Sequence, residues 1–128
     1  MVDLPKFNSF AAVLEFVADK GIDWSHSFVQ MKLNQRPDAW VTVYSVDESP
    51  YFDFGYLNPK DPRQTLAGTL VLYETCEVID WSPGRLACIR AKGVGVEQLI
   101  DIITAVASEV FGFSHFTIEV SFGDFGRA

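Results

Sequence analysis

A chain of 128 residues with 48% hydrophobic residues is long enough to bury one sizeable core without disulfide or metal staples. Eleven Phe, four Tyr and three Trp exclude a disordered acidic tail, since disorder goes with few aromatics. No apolar run approaches the roughly 20 residues that span a bilayer, and a net charge of −7 repels nucleic-acid phosphates and anionic lipid.

The first ten residues, MVDLPKFNSF, hold an acid at position 3 and no basic stretch before an apolar core, so a secretory signal is not expected. Asn8 or Ser9 can cap a helix from Phe10 to about Lys20, with Gly21 past its end. Phe10, Val13, Leu14 and Val17 share its apolar face. In residues 27–33, Val29, Met31 and Leu33 alternate with Gln30 and Lys32, the period of a strand with one buried face. Gln35 to Asp38 supplies a turn around Pro37. Residues 39–46 are rich in β-branched and aromatic residues on both faces and predict an interior strand.

Asp47 to Pro50 forms a second turn, and residues 51–57 a third strand with Phe52, Phe54 and Tyr56 on one side and Tyr51, Asp53 and Leu57 on the other. Short loops join these three strands, which predicts an antiparallel meander. Residues 58–63 are a polar excursion stiffened by two prolines. Residues 65–80 read as a strand too long for the usual five or six residues, with Gly68 marking a bulge or the true start. Ser82, Pro83 and Gly84 fit a tight turn, and residues 85–91 return as a fifth strand.

Val96, Leu99, Ile100, Ile103, Ala107, Val110 and Phe111 recur at helical spacing, and Gly112 directly follows. Phe116, Ile118, Val120 and Phe122 then alternate with polar residues. Strand, helix and strand in succession suggest a crossover that places the last strand parallel to a neighbour. The expected fold is α+β, one domain over residues 1–128. It has a single mixed, mostly antiparallel sheet of five to six strands in the order α-β-β-β-β-β-α-β. A long C-terminal helix and a shorter N-terminal one cover it.

Candidate chemistry is sparse. Gly93 and Gly95 precede the long helix, but Gln98 stands where a dinucleotide fingerprint needs its third glycine. His26 and His115 each follow a serine, yet neighbours along a strand point to opposite faces, and no nucleophile-elbow motif is present. Cys76, Cys88 and the two histidines lack the pair spacings of a zinc site. Two cysteines in an unsignalled chain predict reduced, buried thiols, nearly opposite each other if the Ser82 turn pairs its strands symmetrically. No cofactor and no metal are expected, and no catalytic residue is assigned.

Charge is more informative once located: residues 47–84 hold −5 of the net −7, with only Lys60 and Arg63 against seven acids. Tyrosines are interspersed with these carboxylates, and rigid aromatics beside steering charges suit a protein-binding surface. The candidate contact residues are Asp47, Glu48, Tyr51, Asp53, Tyr56, Asp61, Glu74 and Glu77, facing a basic protein partner. An alternative is an enzyme or small-ligand binder with its pocket between the sheet and the long helix. It would draw on Glu74, Glu77 and His115, with Arg85 or Arg90 as an anion clamp. Pairing through an exposed strand edge is a third possibility.

In size, acidity and element layout the chain resembles bacterial immunity proteins, which protect a cell from polymorphic toxins, including those of contact-dependent growth inhibition systems. The resemblance covers the chain as a whole and rests on no motif, so no residue is carried over. It implies a cytoplasmic inhibitor, a monomer or weak homodimer. Such a protein occludes the C-terminal domain of a cognate toxin, often a basic nuclease, and binds neither nucleic acid nor membrane.

Overall fold

Ser9 begins the first helix: its hydroxyl oxygen accepts from Ala12 N at 3.2 Å, and α1 runs over Phe10–Asp19. The computed structural model describes residues 6–19, 27–44, 51–72, 76–94, 96–113 and 115–124. The strands are β1 (Lys6–Phe7), β2 (Ser27–Leu33), β3 (Trp40–Tyr44), β4 (Tyr51–Gly55), β5 (Cys76–Ser82), β6 (Leu86–Ala91) and β7 (Ile118–Asp124). Besides α1 there are α2 (Pro62–Thr65), α3 (Ala67–Leu72) and α4 (Val96–Phe111). The seven strands form one sheet in the order β1-β7-β2-β3-β4-β6-β5, and every neighbouring pair is antiparallel.

The α+β class, the meander β2-β3-β4 and the two covering helices are as expected. The last strand is not parallel to a neighbour. β7 inserts between β1 and β2, antiparallel to both, with Leu33 opposite Ile118 and Lys6 opposite Glu119. It shares its direction with β6, but three strands lie between them. With its flanking loops α4, about 24 Å long, carries the chain over the four strand spacings, roughly 19 Å, that separate β6 from β7.

Residues 65–80 are not one long strand. Asp61 caps α2 by accepting from Arg63 N at 2.9 Å, and Pro62 opens it where its missing N–H costs nothing. α3 follows, and the strand starts only at Cys76. β5 then bulges between Val78 and Asp80, which shifts its register against β6. Cys76 lies opposite Ala91 and Cys88 opposite Asp80, so the cysteines point to opposite faces of the sheet and form no disulfide with each other. The Arg63 guanidinium donates to the Val78 carbonyl at 3.0 Å, so bulge and arginine together blunt this edge against pairing with another chain.

The helices lie on one face. Val29, Met31, Leu33, Val41, Val43, Phe52, Phe54, Ile89, Ile118 and Val120 of the strands form one core cluster with Phe10, Val13 and Leu14 of α1 and Leu99, Ile102, Ile103, Val106 and Ala107 of α4. The buried stripe of α4 therefore runs through Ile102 and Val106, while Ile100, Val110 and Phe111 are only partly buried. Gly112, at φ 72°, donates to the Ser108 carbonyl and ends the helix.

Candidate functional site

Alternation along the strands sends every second side chain to the face that no described helix covers. Cross-strand register then sets which of them meet. One row across β2, β3, β4, β6 and β5 is Phe28, Tyr44, Tyr51, Arg90 and Glu77. The next is Gln30, Thr42, Asp53, Cys88 and Asp80, and β7 extends it with Ser121. A third runs from Glu119 through Lys32 and Trp40 to Gly55.

Aromatic contacts stiffen the first row. Tyr44 and Tyr51 stack with centroids 4.9 Å apart at an interplanar angle of 12°, and Phe28 leans on Tyr44 at 5.9 Å. Below them, the Tyr44 hydroxyl donates to the Asp53 carboxylate at 3.0 Å. Burial pushes the Tyr44 pKa well above its ordinary value, and the charge of Asp53 and this hydrogen bond push it further. Cys88, 5% exposed, behaves alike. Burial raises its thiol pKa most, aided by a hydrogen bond to Asp53 and by the charges of Asp53 and Asp80. Both groups keep their protons at neutral pH and hold the Asp53 carboxylate in place. A thiol held protonated is a poor nucleophile.

The candidate contact residues divide accordingly. Tyr51 and Asp53 are half-buried on the open face, and Glu77 is exposed there opposite Arg90. Tyr56 belongs instead to the core: it is 1% exposed, with its hydroxyl donating to the Lys60 carbonyl at 2.8 Å and 2.7 Å from Thr65 Oγ1. Asp61 caps α2 and pairs with Arg63 at 3.3 Å. Asp47, Glu48 and Glu74 lie outside the described residues, as do His26 and Tyr73. Tyr44, Thr42, Cys88, Asp80 and Trp40 are members of the face that reading along the chain did not gather. Only the register of four strands places them together.

Of the residues proposed for a pocket between sheet and long helix, the described ones are not gathered there. Glu77 and Arg90 occupy the open face, Arg85 is exposed in the β5–β6 turn, and His115 is exposed, its carbonyl accepting from Asn34 Nδ2 at 3.0 Å. Two cavities stand out. One, of about 400 Å³, lies on the open face over β7, β2 and β3. The other, about 190 Å³, sits where the end of α4 meets Tyr56, Thr65 and the Arg36–Asp38 ion pair. The Arg36 guanidinium holds the Asp38 carboxyl below the usual range, chiefly by its hydrogen bond.

Among the described residues, no group of three or more His, Cys, Asp or Glu is arranged to hold a metal ion. No helix among them is long and apolar enough to cross a membrane. No protein-family model, curated protein or solved structure matches this chain.

Proposed function

We propose that this protein is a cytoplasmic inhibitor of the immunity type, which binds a basic, nuclease-type toxin domain and neutralises it by steric occlusion. The observation that carries the reading is the open sheet face, where the Tyr44–Tyr51 stack lies beside Asp53, Asp80 and Glu77. Sheet pairing on both sides of β4 makes this a rigid surface, and rigid aromatics bind with little loss of side-chain entropy. Tyr51 serves as an anchor. Asp53, held by Tyr44 and Cys88, is a preorganised acceptor for a lysine or arginine of the partner.

The acids beyond the face steer. Asp47, Glu48 and Glu74 flank β4 and β5 in sequence and add to the negative field of residues 47–84. Tyr56 is buried and drops out of the contact set, while Asp61, its side chain 35% exposed, caps α2 and stays at the rim. Inhibition needs no turnover: a covered active site is an inactive one, and long-range attraction speeds the encounter.

The test is coexpression of the full chain with the toxin domain encoded beside its gene. Growth should be rescued, and a one-to-one complex should elute as a single species. A neighbouring toxin that still kills in the presence of the folded chain, or a gene with no toxin beside it, would count decisively against this reading.

A further inference from the structure

The other half of the open face holds the larger cavity, about 400 Å³, lined by Gln30, Lys32, Pro37, Trp40, Glu119 and Ser121. Its walls follow from register. Gln30 faces Ser121 and Lys32 faces Glu119 across β2 and β7, while Lys32 faces Trp40 across β2 and β3. The indole of Trp40 lies down over Gly55 on the adjoining strand. A Cβ at that glycine would stand 2.8 Å from Trp40 Nε1 and 2.3 Å from the Asp38 carbonyl oxygen. The glycine thus seats the ring as a fixed wall of the cavity. Among the described residues, none of the four polar side chains in the lining makes a hydrogen bond or ion pair.

These features narrow the ligand. Among the described lining residues one lysine and one glutamate balance, which suits an uncharged molecule. An anion would meet Glu119 and the field of a −7 chain. A purely apolar ligand would cover four polar groups and leave them unpaired. Gln and Ser both donate and accept, Lys donates and Glu accepts, which matches a rim of hydroxyls. The indole offers a flat, electron-rich face to polarised C–H groups. The volume falls within the roughly 300–1,000 Å³ of small-molecule sites, enough for one or two sugar rings. We propose that this cavity binds a neutral saccharide, with a C–H face of the sugar stacked on Trp40 and its hydroxyls bonded to Gln30, Lys32, Glu119 and Ser121. The proposal is independent of the partner reading, since neither Tyr51, Asp53 nor Glu77 lines the cavity.

The full ¹⁵N-labelled chain is titrated separately with cellobiose, maltose and N,N′-diacetylchitobiose, followed by the Trp40 indole N–H and the amides of the lining. At sugar concentrations on the order of 10 mM, which fill a millimolar site, at least one disaccharide should shift these signals saturably. Gln30→Ala combined with Ser121→Ala changes surface side chains only, keeps the remaining spectrum, and should weaken binding by about tenfold, the loss of one or two hydrogen bonds. Trp40→Ala should abolish it, and the double variant decides the matter if that protein fails to fold. Absence of saturable shifts with all three sugars overturns the proposal, as do shifts that map away from the cavity. So does binding that the double variant leaves unchanged, or lining signals that respond only to a protein partner.

Discussion

The two faces of the sheet are built from the same strands, one residue out of phase, and they obey different rules. On the helix face Val29, Met31, Leu33, Val43, Phe52, Phe54, Ile89, Ile118 and Val120 are all 0% exposed. Shape and apolar area alone decide what fits there. On the open face Gln30 and Lys32 are exposed and Tyr51, Asp53 and Arg90 half-buried, and aromatic, acidic and thiol groups hold one another by hydrogen bonds and stacking. The covered face makes the fold. The open face keeps polar groups in fixed positions.

Substitutions can break this contrast or sharpen it. The largest effect is expected from Ile103→Asp on α4, which puts an unpaired carboxylate into a site that is 0% exposed. The loss should reach about 4 kcal/mol or more, enough to abolish the cooperative unfolding transition in urea. Asp101→Ala, two residues away but exposed, should stay within about 0.5 kcal/mol of the parent in the same assay. Next comes Gly55→Ala, whose Cβ has no room beneath Trp40 and beside the Asp38 carbonyl. A cost of about 2 kcal/mol is expected from chemical denaturation. At Gly68 in α3 a Cβ meets nothing within 4 Å, and Gly68→Ala should raise stability by about 0.5 kcal/mol instead.

On the open face the effects are smaller. Tyr44→Phe keeps the ring stack but removes the donor to Asp53, for about 1 kcal/mol. Smallest is the titration of Cys88. Its folded pKa lies above the ordinary thiol value of 9.0, so its contribution is complete below that value and lost as pH rises beyond it. Stability should therefore decline above about pH 9, and Cys88→Ala should flatten that part of the profile. Native-state alkylation read by mass spectrometry should find Cys88 protected until urea unfolds the chain.

How much of this was legible in the sequence depended on range. The α4 stripe, its Gly112 stop and the alternation in β2 are local signals, and they placed those elements within a residue or so. The same alternation already put Tyr56 beside Phe52 and Phe54, so its burial was readable even though its chemistry suggested a surface. Residues 65–72 look like strand in the sequence because Thr, Leu and Val without charges suit one. The cap at Asp61 and the proline at Pro62 were the signals that announced helix. The Tyr44–Asp53–Cys88 cluster was beyond reach, since alternation gives the face of each side chain but not its cross-strand neighbour. The bulge between Val78 and Asp80 shifts even the hairpin register.

Binding kinetics with a toxin domain encoded beside the gene test the proposal that the open face is the contact surface. Dissociation and association are measured at low and physiological salt for the parent, Tyr51→Ala, Glu77→Lys, and a control, Glu97→Lys with Asp101→Lys, which reverses exposed charges on α4. Tyr51→Ala should speed dissociation by an amount equivalent to about 2 kcal/mol. Glu77→Lys should slow association, less so as salt rises, and the α4 control should dissociate like the parent. If the α4 variant loses the complex while Tyr51→Ala and Glu77→Lys bind as the parent does, the helix face is the interface and the open-face proposal fails.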